Sequence, residues 1–157
     1  MRTFLASALV ALIGSALVTA CGTVGPQATT YTAYQLTCCS PGDIERVWQP
    51  GTTVDLHWNQ TASQVTTVNP SHRVVITGTL DGPYADVSTL KQLKAAAYQV
   101  RGSSVSFDDR IPPAADTVMT FLLPANLPPG FYNLNTSWDL GAGDSASGGS
   151  VVRVGQH

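Results

Sequence analysis

Charge is scarce in this sequence. Only 11% of its 157 residues are charged, and Glu45 is the one glutamate. The 8 Lys and Arg residues form no cluster. Phosphate binding needs concentrated positive charge, so this scarcity argues against a nucleic-acid partner. It also argues against a polybasic membrane patch. A charge-driven disordered chain is excluded, and an apolar fraction of 43% is enough for a core. Paired carboxylates for glycoside chemistry are hard to assemble from one Glu and Asp residues that show no pairing. The motifs G-x-S-x-G, H-E-x-x-H and S-x-x-K are all missing, and no catalytic residue is singled out.

Long apolar runs are also lacking, with one exception at the start. Arg2 precedes the run Phe4–Val18, which is followed by the small residues Thr19 and Ala20. Residues 1–20 read as a secretory signal peptide, too short and wrongly flanked for a membrane span. No later run reaches membrane length, so the rest of the chain is expected to be soluble. The sequence Val18-Thr19-Ala20-Cys21 resembles the bacterial lipobox. The resemblance implies that Cys21 carries a diacylglycerol on sulfur and becomes the mature N-terminus. Two or more acyl chains anchor stably. The expected location is the extracytoplasmic face of a cell membrane, with ordinary secretion as the alternative. Residues 21–30 then form a lipidated cysteine and flexible tether, and residues 31–157 one domain.

Cysteine is sparse, 3 in all. If Cys21 is lipidated, only Cys38 and Cys39 remain as thiols. Free thiols in an oxidising envelope tend to pair, which makes these neighbours a candidate vicinal disulfide. No C-x-x-C or H-x-x-x-H spacing exists, and no metal site or cofactor is expected. A metal or small-ligand role using Cys38-Cys39 and a histidine stays as an alternative.

What is abundant is turn chemistry and alternation. Gly (14) and Pro (10) punctuate short β-like runs. The run Thr53–Trp58 alternates after the turn signal Pro50-Gly51, with Val54, Leu56 and Trp58 on one face. Strands are expected over Tyr31–Thr37, His72–Leu80, Val100–Phe107, Thr117–Leu123, Phe131–Trp138 and Ser150–Val154. Asp81-Gly82-Pro83 is read as a strand end. Polar loops are expected over Asn59–Ser71 and Gly141–Gly149, and one helix over Ala85–Tyr98, capped by Asp86 or Ser88. The fold class is all-β, an antiparallel sandwich of about seven strands with one short inserted helix.

Leu127-Pro128-Pro129-Gly130-Phe131-Tyr132 resembles the tyrosine corner of immunoglobulin-like and fibronectin-like sandwiches. There a Tyr near the start of the penultimate strand bonds back to the preceding turn. Trp48-x-Pro-Gly-x-x-Val-x-Leu-x-Trp58 is similar to a B strand of such domains. The whole chain also resembles actinobacterial-type envelope lipoproteins, which implies no activity. Trp58, Tyr132 and Phe121 are expected in the core. Tyr84, Trp138 and His72 are candidate binding-loop residues, and Tyr31, Tyr34 and Trp48 further exposed candidates. The expected function is a lipid-anchored, non-enzymatic module that binds an envelope protein or polymer. A structural accessory subunit is the remaining alternative.

Overall fold

A computed structural model describes residues 25–68, 71–92, 95–141 and 143–155. Residues 1–24, where the signal peptide, the lipidated Cys21 and the first tether residues are expected, lie outside the described residues. Ten strands form three sheets. β5 (Arg73–Tyr84) is the spine of the largest. It pairs with β9 (Gly130–Gly141) on one side. On the other side it pairs with β6 (Tyr98–Arg101) and β7 (Val105–Asp108). β10 (Asp144–Val154) lies beyond β9, and β2 (Val47–Trp48) beyond β10. The β2–β10 pair is parallel; every other pair is antiparallel.

A two-stranded sheet, β3 (Thr53–His57) with β8 (Val118–Leu122), faces this large one. Alternation drives the packing: Val54 and Leu56 from β3, and Met119 and Phe121 from β8, are buried. They meet Ile76, Leu80, Tyr132, Leu134, Val152 and Val154 from the large sheet in one core. The order β10-β9-β5 opposite β3-β8 matches strands G-F-C opposite B-E of an immunoglobulin-like sandwich. The Tyr132 hydroxyl donates to the Pro128 carbonyl oxygen at 2.7 Å, closing the tyrosine corner on the penultimate strand.

Burial pushes the Tyr132 hydroxyl up to about 12, with Tyr98 adding a smaller push. An acid with a raised folded value stabilises the fold while protonated, so the effect is intact below pH 10 and lost as pH rises toward 12. Stability should therefore fall by roughly 1.4 kcal/mol per pH unit across that window. Urea unfolding of the wild type and of Tyr132→Phe at stepped alkaline pH tests this. The variant should be weaker by about 1 kcal/mol near neutrality and should lack this component of the alkaline loss.

Several expectations are corrected. The strands number ten among the described residues rather than about seven. Residues 59–67 are not a loop but β4 (Asn59–Thr67), paired along its length with β1 (Thr29–Thr37). This ribbon buries little of β4, so no apolar alternation marks it, and backbone pairing alone makes the strand. Gly141–Gly149 is likewise mostly strand, since Ser145–Gly149 pair with β9. β5 runs through Gly82-Pro83 to Tyr84 instead of stopping at Leu80.

Val100–Phe107 divides into β6 and β7. A Cβ on Gly102 would lie 2.8 Å from the Phe121 ring, so the backbone there passes directly against the opposite layer. The helix shrinks to α2 (Val87–Lys91), with Leu90 buried. Asp86 is its cap, accepting from the Thr89 amide at 2.7 Å. Hydrogen bonds from Ser88 and Thr89 hold the Asp86 carboxyl down to about 2. A second short helix, α1 (Pro41–Ile44), precedes β2. Among the described residues no helix is long and apolar enough to cross a membrane.

Candidate ligand-binding groove

Strands β5 and β9 are twelve residues long, whereas β3 and β8 have five. The small sheet therefore cannot cover the full inner face of the large one. At the uncovered end stand Val74, Phe107, Trp138 and Ala146. β1 lies over them, fastened by hydrogen bonds that include the Trp138 Nε1 donating to the Leu36 carbonyl oxygen at 3.0 Å and the Tyr34 amide to the Asp109 carbonyl oxygen at 2.6 Å.

The fit is incomplete. A cavity of about 310 Å³ opens among Tyr34, Leu36, Phe107, Trp138, Leu140 and Ala146. A second, of about 220 Å³, opens among Tyr31, Tyr34, Ser71, Asp109, Leu140 and Asp144. Tyr34, Gln35, Val74 and Leu140 line both, so the two form one groove with an apolar end and a polar end.

The polar end is built by strand pairing. Arg73 of β5 pairs with Asp108 of β7, which brings His72 beside Asp109. The His72 Nδ1 lies 3.0 Å from Asp109 Oδ1, and the Tyr31 hydroxyl donates to Asp109 Oδ2 at 2.8 Å. The Tyr31 and His72 rings meet edge to face, with centroids 4.8 Å apart. Burial first, then the hydrogen bond to the Asp109 carboxylate, pushes the Tyr31 hydroxyl above its ordinary value. Asp109 is buried, although its place beside Asp108 in a polar turn reads as solvated.

One ligand atom from each of His72, Asp108 and Asp109 falls within 4.8 Å of the others. Arg110 grips Asp108 with both arms, Nε on Oδ1 at 2.9 Å and Nη2 on Oδ2. Those bonds hold the Asp108 carboxyl well below the usual carboxylate range. A metal ion at this cluster would have to displace a guanidinium, so the grouping is better described as an internal ion-pair network.

The other sequence candidates fall elsewhere. Trp138 is half-buried in β9 and lines the groove. Tyr84 is not an open loop residue: it is buried at the far end of β5. Trp48 is also fully buried, its Nε1 donating to the Asp43 carbonyl oxygen at 2.7 Å. Trp58 is half-buried at the edge of the core, edge-on to Trp138. His57 is exposed, and its Nδ1 lies 3.0 Å from Asp43 Oδ2.

The sulfurs of Cys38 and Cys39 lie against each other, and neither cysteine lines the groove. Both stretches read as binding loops reach the groove, though as strands or their flanks: Val65, Thr67 and Ser71 from one, Gly141, Asp144 and Ala146 from the other. Sequence reading missed Tyr31 and Asp109 as partners of His72. Tyr31 lies 78 positions from Asp109, and Asp109 37 from His72, and no local spacing links them.

No known protein family matches the chain, and no curated protein matches it in sequence.

Proposed function

We propose that this chain is a lipid-anchored envelope protein that binds a ligand or partner without chemical turnover. Cys21 would hold it at the extracytoplasmic face of the membrane. The carrying observation is the groove formed by two adjoining cavities between β1 and the inner face of the large sheet. Ligand sites combine apolar and aromatic walls with a few placed polar groups, and this groove has that composition. Binding rather than turnover is favoured by the sequence, in which the motifs G-x-S-x-G, H-E-x-x-H and S-x-x-K are missing.

The anchor is tested by the intact mass of protein extracted from membranes, before and after reduction and alkylation. The expected mass is that of residues 21–157 plus lipid, with Cys38 and Cys39 becoming alkylatable only after reduction. Cys21→Ala should move the protein out of the membrane fraction. A lipid-free chain cut near the same place would overturn the anchor in favour of secretion.

A further inference from the structure

The geometry points to a small organic cation with a short apolar arm as the groove's ligand. This rests on the reading of the groove as the binding site. The positive end would sit against Asp144 and Asp109 and the rings of Tyr31 and Tyr34. The arm would run past Val74 and Leu140 toward Trp138.

Charge complementarity is the argument. Two carboxylates, Asp109 and Asp144, line the polar cavity, and among the described residues no Lys or Arg side chain lines either cavity. The nearby Arg110 is held by Asp108. Asp109 already accepts from Tyr31 and sits against His72, whereas the Asp144 carboxylate makes no hydrogen bond or ion pair among the described residues. Arg73 points away, since it is exposed while its neighbour Val74 faces the groove. The charged side chains on the described lining are therefore carboxylates, which disfavour an anionic ligand.

A bare metal ion is a poor fit for the same cavity. Asp109 is already engaged by Tyr31 and His72, which leaves Asp144 as the one uncommitted carboxylate among the described lining residues, whereas hard cations require several oxygen ligands. A weakly hydrated ammonium is attracted to ring faces as well as to carboxylates. A register shift between Asp144 and Ser145 sits where β9 turns into β10. Bulges of this kind re-aim side chains at sheet edges, and here Asp144 and Ala146 both face the groove.

The test uses the full-length lipidated protein in lipid nanodiscs, with empty nanodiscs as the blank. Butyltrimethylammonium, butan-1-ol and butanoate are titrated while Trp fluorescence is followed, because Trp138 lines the groove. The expected result is saturable binding of the cation, several-fold tighter than the alcohol, with no measurable binding of butanoate. The preference should shrink as salt is raised. Asp144→Asn, at an exposed position, should weaken the cation by about threefold and leave the alcohol unchanged. Leu140→Arg should abolish cation binding without altering the melting temperature.

Equal binding of all three probes would overturn the charge argument while leaving the groove as a binding site. An unchanged preference in Asp144→Asn would overturn it as well. No saturable signal from any probe would overturn both.

Discussion

Trp48→Ala should lower the unfolding free energy by about 3–5 kcal/mol, the range for a large aromatic removed from a packed core. Trp48 is 1% exposed. Its ring lies against Phe121 of the opposite sheet, with centroids 5.9 Å apart. Its indole N–H bonds the Asp43 carbonyl oxygen, and its own carbonyl accepts from the Gly155 amide at 3.0 Å.

One residue therefore joins three parts of the domain: the short helix α1, the parallel β2–β10 edge and the core. Asp43 extends the link, because its carboxylate accepts from the His57 amide at 2.8 Å. Chemical denaturation at neutral pH would read the loss directly. Trp48→Phe retains the ring contact but leaves the Asp43 carbonyl oxygen without this donor, so it should cost less than the alanine. A loss below about 1 kcal/mol in Trp48→Ala, the size of ordinary surface changes, would contradict this account.

Gly82→Ala should also be strongly destabilising. A Cβ there would lie 2.8 Å from Cγ of Tyr132 and 2.9 Å from the backbone oxygen of Phe131. A ring fixed at both ends and a strand backbone cannot yield as a flexible side-chain tip can. Overpacking of this kind costs about 1–3 kcal/mol, and here the upper end is expected. The same shift should strain the Tyr132 hydrogen bond to Pro128. Combining Gly82→Ala with Tyr132→Phe should therefore cost less than the two single changes added together. Strict additivity in urea unfolding would show that the two positions are not coupled.

Both predictions concern features that the sequence displays unevenly. The tyrosine corner is local: Tyr132 reaches back only four residues to Pro128, and Pro-Pro-Gly before it supplies the turn. Alternation likewise exposes β3 and the buried half of β8 and β9, because one face of each strand is apolar. β4 and the first half of β10 carry no such mark. Their residues are mostly Thr, Ser, Gln, Ala and Gly, and both faces are largely exposed, so only the backbone ladder identifies them.

Gly82-Pro83 reads as a strand end because glycine and proline usually punctuate a chain. In this fold the glycine makes room for Tyr132, and the strand continues past it. The groove was the least legible part. Trp138 and the two polar stretches pointed toward it, but Tyr31 and Asp109 join His72 only after β1, β5 and β7 have taken their places. Cys38 and Cys39 drew attention by their adjacency, yet neither lines the groove.

If Cys21 carries the proposed lipid, the groove's cover and the domain's attachment are one piece of chain. β1 begins at Thr29, eight residues after Cys21, and the same strand is held to the sandwich by Trp138 and Asp109. Filling the space beneath it would fasten the strand from which the whole domain hangs. On a membrane, occupancy of the groove and the freedom of the domain to swing would then be a single equilibrium. By thermodynamic reciprocity, a surface that fixed the domain's tilt would tighten the groove's grip, and a bound ligand would stiffen the domain's stance.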